Sequence, residues 1–273
     1  MPDREGDRPA PVPTLSPDAV MERLEHVERA LGADPERLIA FDADGTIWDV
    51  DVGVSIFEAL LERGDVRAEA GEALAEDARR FNIPLPPGAG AVEAAAALHQ
   101  AFFDKRYPDD LAYAMNAWAF AGHTEAEADA IALEVLSSLR VAERIRPAFP
   151  RLIEWAAARG VDAYVVSASP VWIIRAGAAL LGLGPDRGIA MAPAVRGGVI
   201  EPRIEGPICY GDGKLAKIRA TRPGAALLGA FGDSAWDAAM LRAARVPVAV
   251  MPSEGLLQMA DSILNIVEMD PFL

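Results

Sequence analysis

The stretch "LIAFDADGTIWDVD", from Leu38 to Asp51, runs an apolar segment straight into Asp42 and Asp44, and then into a glycine, a hydroxyl and a tryptophan. Leu38 to Phe41, bounded by Arg37 and Asp42, read as a short strand buried on both faces. The same figure recurs downstream, where "AYVV" runs into Ser167 and "LLGAFG" into Asp233. From Pro147 onward such segments alternate with helical ones, among them "FPRLIEWAAARG" ending at Gly160 and "VWIIRAGAALLG" opened by Pro170. Strands alternating with helices predict an α/β fold with a parallel sheet covered on both faces. In open sheets of this kind ligands bind outside the carboxyl ends of the strands. One aspartate after a strand is commonly a turn former or helix cap. Asp42, Ser167 and Asp233 converging on one edge instead predict a site.

Before the first strand, Ser16 is placed to cap a helix with Pro17 at its first position and Val20, Leu24, Val27 and Leu31 along one face, stopped at Gly32. After it, from about Val54 to Arg146, no segment alternates as a strand does. Ala, Leu and Glu dominate, and "VSIFEALLER", "RAEAGEALAEDARRF", "AVEAAAALHQAFFDKR", "DDLAYAMNAWAFA" and "EAEADAIALEVLSSL" read as helices, the last capped by Thr124. "IAMAPAV" and "VIEPRI" flank Arg196, Gly197 and Gly198 and predict a hairpin.

Composition narrows the function. The 273 residues are 52% hydrophobic, enough for one large domain or a core domain with a smaller insertion. Lys and Arg number 26 against 41 Asp and Glu, a formal charge of −15 that argues against nucleic acid and anionic membranes as partners. No apolar run approaches the roughly 18 residues needed to span a bilayer. A lone Cys209 fits a reducing compartment. The opening "MPDREGDRPAPVPTLSP" is charged and proline-rich without an apolar stretch, so the expectation is a cytoplasmic protein with a frayed leader.

The carboxylates call for a cation. Facing each other, Asp42 and Asp233 would raise one another's pKa unless a positive ion sat between them, and a few hard oxygens with open positions suit Mg²⁺, which keeps waters and binds substrate phosphate. With the charge on a phosphate screened, Asp42 becomes a nucleophile toward phosphorus. Asp44, two residues on, is placed to protonate the leaving oxygen and then to activate water. Ser167 supplies a hydroxyl donor, Lys214 in "GDGKLAKI" a point charge, and Gly45 and Thr46 a turn that lets backbone approach the phosphate. Asp237, four residues after Asp233, is placed to orient Lys214 or metal-bound water.

"FDADGT" with Asp42 and Asp44, "VVSAS" with Ser167, then Lys214, then "GDSAWD" with Asp233 and Asp237 occur in an order that resembles the haloacid dehalogenase superfamily of aspartyl-phosphate-forming hydrolases. The resemblance, over residues from about 36 to 265, implies a Rossmann-like core and a helical cap inserted after the first motif. The expected layout is a flexible leader at 1–15, a core at 16–50 and 147–273, and a cap at 51–146. By the same resemblance the Asp44 carbonyl is a third protein ligand of Mg²⁺, and Ala168 follows the motif serine beside the phosphate. A carboxylate at Asp44 implies a phosphatase or phosphotransferase rather than a dehalogenase, because a halide leaving group needs no proton.

The section from Leu180 to Lys214 is similar to the phosphoserine-phosphatase-like branch, with departures. Ala168 and Ser169 stand where that branch has a glycine pair, and Asp51 aligns with its substrate-amine glutamate. Phosphomonoesters of amino alcohols or amino acids, such as phosphocholine, phosphoethanolamine or phosphoserine, are the implied substrates. Asp51 with Trp48, Trp118 or Trp172 is a candidate to hold a cationic leaving group, with Ser169 nearby. The expected partner is a small phosphorylated metabolite; the oligomeric state is not legible. Two alternatives stand beside the phosphatase: a phosphotransferase, and a non-catalytic binding protein using the helical block.

Overall fold

A computed structural model describes residues 12–32 and 36–273. Its strands are β1 (Thr14–Leu15), β2 (Arg37–Phe41), β3 (Asp162–Pro170), β4 (Gly188–Met191), β5 (Pro193–Arg196), β6 (Val199–Ile204), β7 (Ala226–Gly232), β8 (Val246–Val250) and β9 (Val267–Met269). Seven of them form one sheet in the order β1-β9-β8-β7-β2-β3-β4, with every neighbouring pair parallel. The apolar run Leu38–Phe41 lies at its centre and is shut from solvent on both faces, which is why it carries no alternation. Phe41 packs at a tilt against Phe231 of β7, ring centres 4.8 Å apart, and meets Phe149 edge-on at 5.5 Å, joining the sheet to a flanking helix.

Helices α1 (Pro17–Leu31) and α8 (Ala148–Ala158) pack together beside the sheet, while α9 (Val171–Leu180), α10 (Asp212–Thr221), α11 (Ala238–Ala243) and α12 (Glu254–Met259) complete the layers. Ser16 caps α1 by accepting from the Ala19 N–H, with Pro17 in the first turn. Between β2 and α8 lies the helical block, α2 (Val52–Glu62), α3 (Ala68–Arg80), α4 (Ala91–Phe103), α5 (Asp109–Trp118), α6 (Glu125–Ser138) and α7 (Val141–Arg144). Thr124 caps α6 in a reciprocal pair with Glu127. Asp51 caps α2 through its bond from the Val54 N–H, at the point where the chain leaves the core.

Three local expectations need correction. Of the leader at 1–15, residues 1–11 lie outside the described residues, but Thr14 and Leu15 pair with Glu268 and Met269, because the edge of β9 offers unpaired backbone groups. β3 does not stop at Ser167; it continues to Pro170, where it pairs with Met191. "IAMAPAV" is divided between two sheets: Ile189 to Met191 join the main sheet, and Pro193 begins the antiparallel β5–β6 hairpin. Gly197 and Gly198 turn that hairpin at φ of +59° and +79°, the mirror-image turn that a two-residue loop requires.

The hairpin reaches away from the main sheet to the helical block. Gly122 N–H donates to the Ile200 carbonyl at 3.0 Å, and Ile200 N–H donates to the His123 carbonyl at 2.9 Å. His123 is itself buried, its ring held between the Phe120 carbonyl and Asp65. No helix among the described residues is long and apolar enough to cross a membrane.

Candidate active site

Strands β7, β2 and β3 are adjacent, and their carboxyl ends bring Asp233, Asp42 and Ser167 to one place. The chain passes from β2 to β3 on one side and later returns to β7 on the other, so this edge is the switch point at which open α/β sheets take ligands.

Asp42 is 4% exposed and holds a buried ion group together. Lys214, in the first turn of α10, donates from Nζ to Asp42 Oδ1 at 2.5 Å and to Asp237 Oδ1 at 2.6 Å. The other oxygen of Asp237 accepts from the Ser234 N–H and hydroxyl, each at 3.0 Å, so both its oxygens are engaged. Asp233 accepts from the Thr46 hydroxyl at 3.0 Å. The turn approaches Asp233 so closely that a Cβ on Gly45 would lie 2.5 Å from its Oδ2, and Gly45 has φ of +82°; only glycine satisfies both conditions.

Oxygens of Asp42, Asp233 and Asp237 lie within 4.8 Å of one another. Three carboxylates around the single Lys214 ammonium leave an excess of two negative charges. Burial, with Asp237 adding to it, pushes the Asp42 carboxyl well above the carboxylate range against the pull of Lys214. Asp233 is raised for the same two reasons. Burial works against the charge on Lys214, but Asp237 and Asp42 hold it well above the ordinary lysine value. A divalent cation fits this donor set: the charge in excess is two, the ligands are hard oxygens, and the Asp44 carbonyl accepts no hydrogen bond among the described residues.

Asp44 is held differently, by neutral donors. Trp48 Nε1 and the Val52 N–H donate to its Oδ1 at 2.7 and 3.0 Å, and the Ser169 hydroxyl donates to Oδ2 at 2.5 Å. Burial raises its carboxyl to about 7, with Asp51 adding to the rise and the bonds from Ser169 and Trp48 opposing it. Ser167 is buried, with its hydroxyl accepting from the Ser169 N–H and lying 3.4 Å from Asp44 Oδ2.

A cavity of about 550 Å³ opens over these groups, within the range that holds a small metabolite. Asp42, Asp44, Gly45, Ser167, Ala168 and Lys214 line its floor. Asp51 and Tyr113 face it from the helical block, and Tyr210 and Trp236 from the core side.

Several expected residues lie elsewhere. Trp48 is wholly buried, donates to Asp44 and fills the space beside Gly177, where a Cβ would lie 2.7 Å from the indole; it positions a carboxylate and does not meet a ligand. Ser169 is also wholly buried and bonded to Asp44. Thr46 gives its hydroxyl to Asp233 and its N–H to the Ala43 carbonyl, and the Gly45 N–H goes to Trp48, so neither has a donor left for phosphate. Trp118 and Trp172 are buried outside the cavity. Local sequence could not show this, because a tryptophan beside a motif is equally suited to support and to contact.

Arg146 carries no motif and escaped the sequence reading. It is 7% exposed, lines the cavity and donates from Nη1 to the carbonyls of Gly45 and Thr46, while its own N–H bonds the Ile47 carbonyl. The end of the helical block is thereby clasped to the motif turn at its beginning.

A family model for haloacid dehalogenase-like hydrolases matches residues 39–242. The chain belongs to that family. Its match begins in β2 and ends in α11, so it takes in the whole site together with the inserted helices. No curated protein sequence matches the chain. Among solved structures, a protein with unknown function from Bordetella pertussis Tohama I is 23% identical, with 87% of this chain and 100% of that one covered at a TM-score of 0.64. A conserved functionally unknown protein from Anaerococcus prevotii DSM 20548 is 14% identical, with 89% and 88% covered at a TM-score of 0.64. A phosphoserine phosphatase, solved as a phospho-aspartyl intermediate analogue, is 18% identical, with 87% and 94% covered at a TM-score of 0.47. The first two share the fold of this hydrolase.

Proposed function

We propose that this hydrolase is a Mg²⁺-dependent phosphatase of small phosphomonoesters that works through an aspartyl phosphate on Asp42. The observation that carries the reading is the contrast between two carboxylates on one cavity floor. Asp42 is paired with a buried ammonium inside a three-carboxylate cluster whose raised pKa a bound cation would lower, and Asp44 is held by neutral donors at a pKa of about 7. A nucleophile needs the first environment and a proton carrier at neutral pH the second.

The Asp42 and Asp233 carboxylates and the Asp44 carbonyl would hold the Mg²⁺, which when bound supplies positive charge against the phosphoryl oxygens. Asp237 has no oxygen to spare and keeps Lys214 aimed at Asp42. An Asp42 oxygen attacks phosphorus, the bond from phosphorus to the ester oxygen breaks, and the protonated Asp44 carboxyl delivers its proton to the departing alkoxide. Asp44, now a carboxylate, takes a proton from water as that water attacks the same phosphorus. Breakage of the bond to Asp42 then releases phosphate and restores both side chains. Lys214 and the Ser167 hydroxyl face the phosphoryl group through both steps.

The substrate is a small phosphorylated metabolite, with amino-alcohol and amino-acid phosphates as its candidates. The strongly acidic chain disfavours nucleic acid and anionic membranes as partners, and its free, buried Cys209 suits a reducing cytoplasm. The deciding experiment is hydrolysis of p-nitrophenyl phosphate with Mg²⁺ by the native protein and by Asp42→Asn. Turnover in the native protein and its loss in the variant support the mechanism. Retained Mg²⁺-dependent turnover in Asp42→Asn sinks it.

A further inference from the structure

Three aromatic rings run in series along the wall of the cavity facing the catalytic floor. Tyr113 of α5 stacks on Tyr210 at 5.6 Å and 27°, and Tyr210 lies against Trp236 at 4.7 Å and 35°. Trp236 is 47% exposed, a large solvent contact for an indole with no other evident task. Two carboxylates flank the run. Asp51 lines the cavity and accepts only from neutral donors, the Val54 N–H at 2.8 Å and the Tyr113 hydroxyl at 2.7 Å; no side-chain cation pairs with it among the described residues. Asp109 also lines the cavity, and its one cation among the described residues is Lys105, 72% exposed at the rim and 3.4 Å away.

Two of the three cations that line the cavity are already committed. Lys214 is bound by two carboxylates, and the Arg146 guanidinium by two carbonyls. Lys105 sits 5.2 Å from the centre of the Phe102 ring while bonding Asp109, an ammonium placed against a ring and an acid at the rim of the same cavity. The wall therefore has aromatic surface and, at Asp51, negative charge with no side-chain cation paired to it among the described residues; with six aspartates against three cations lining the cavity and Lys105 at the rim already facing Asp109, a substrate carboxylate meets a net acidic surface.

Resting on the phosphatase reading above, we propose that Tyr113, Tyr210, Trp236, Asp51 and Asp109 form a leaving-group subsite for an alkylammonium. The preferred substrate is then a phosphomonoester of a short alcohol that carries a positive amine and no carboxylate. Asp51 and Asp109 supply charge, and the rings cover the methylene and N-methyl surface while attracting the cation. This replaces Trp48, Trp118 and Trp172, which lie outside the cavity, with a set drawn from both the helical block and the core.

The test compares phosphocholine with 3,3-dimethylbutyl phosphate, which has the same shape with carbon in place of the charged nitrogen, and adds phosphoethanolamine, phosphoserine and p-nitrophenyl phosphate, all with Mg²⁺. The native protein should favour phosphocholine over its neutral isostere in kcat/KM by about 10- to 100-fold. Trp236→Leu and Asp109→Asn should each cut that ratio several-fold; a ratio within one variant is insensitive to a general loss of folded enzyme. Phosphoethanolamine should outrun phosphoserine. A native ratio near one, with p-nitrophenyl phosphate still hydrolysed, overturns the subsite and leaves the phosphatase reading standing. Failure to hydrolyse any ester overturns the phosphatase reading, and calorimetry then decides the subsite on its own: choline should bind the Mg²⁺-loaded native protein more tightly than 3,3-dimethylbutanol, and equal binding overturns it.

Discussion

The floor of the cavity and its wall use similar side chains in opposite ways. On the floor, Lys214 is bonded to two carboxylates, Asp237 has both oxygens engaged, and Asp44 accepts three close hydrogen bonds. On the wall, Asp51 has only neutral partners, and Trp236 is half open to solvent. Groups that must hold reacting atoms at fixed distances are locked by their neighbours; groups that greet a variable leaving group keep charge and surface free. Substitutions on the floor should therefore be costly in rate and stability, and those on the wall should mainly alter selectivity.

Lys214→Met tests the floor hardest. It leaves Asp42 and Asp237 buried without their ammonium, so kcat should fall by more than about 10³-fold and the loss of stability should be about 3–5 kcal/mol, read from denaturant unfolding without Mg²⁺. A stable, active variant would erase the distinction. Asp44→Asn comes next, with kcat reduced about 10²- to 10⁴-fold for alkyl phosphates and clearly less for p-nitrophenyl phosphate, whose leaving group needs no proton. Equal losses on both substrates would remove Asp44 from the acid role.

The pH dependence sharpens the same contrast. Asp44 must start protonated, so kcat/KM for an alkyl phosphate should decline as pH rises through about 7. Its folded pKa lies above the unfolded one, so the native state binds the extra proton and the stabilisation is fully present at low pH. This contribution is lost as pH rises from 3.8 to about 7, and denaturant midpoints at several pH values should separate Asp44→Asn from the native protein across that window. On the wall, Tyr113→Phe removes one hydrogen bond to Asp51 and should cost about 1 kcal/mol at most, with a change in KM rather than kcat. The smallest effect concerns Cys209: burial raises its thiol to about 11, so Ellman's reagent at pH 8 should label it only after unfolding.

The same contrast explains what the sequence disclosed. That Asp42, Asp44, Ser167, Lys214, Asp233 and Asp237 lie together was legible because all but Ser167 follow a strand or open a helix, and Ser167 sits near the carboxyl end of β3. β2 was legible because a fully buried strand is an unbroken apolar run, and α6 because Thr124 and Glu127 announce its start. Tyr113 and Tyr210 meet only through the tertiary fold, and neither has a local pattern that separates it from a core aromatic. Arg146 was equally silent, since a buried guanidinium satisfied by carbonyls looks in sequence like any surface arginine. Trp48 misled for the opposite reason: proximity to the motif was real, but its indole turned inward to serve Asp44.

The β5–β6 hairpin ties the helical block down at a point that its place in the chain conceals. The chain enters the helical block before α2 and leaves it after α7, and the backbone bonds between Ile200 and residues Gly122 and His123 tie the block at a third place. A block held there as well as at its two chain connections keeps its aromatic residues in fixed register with those across the cavity, Tyr113 against Tyr210.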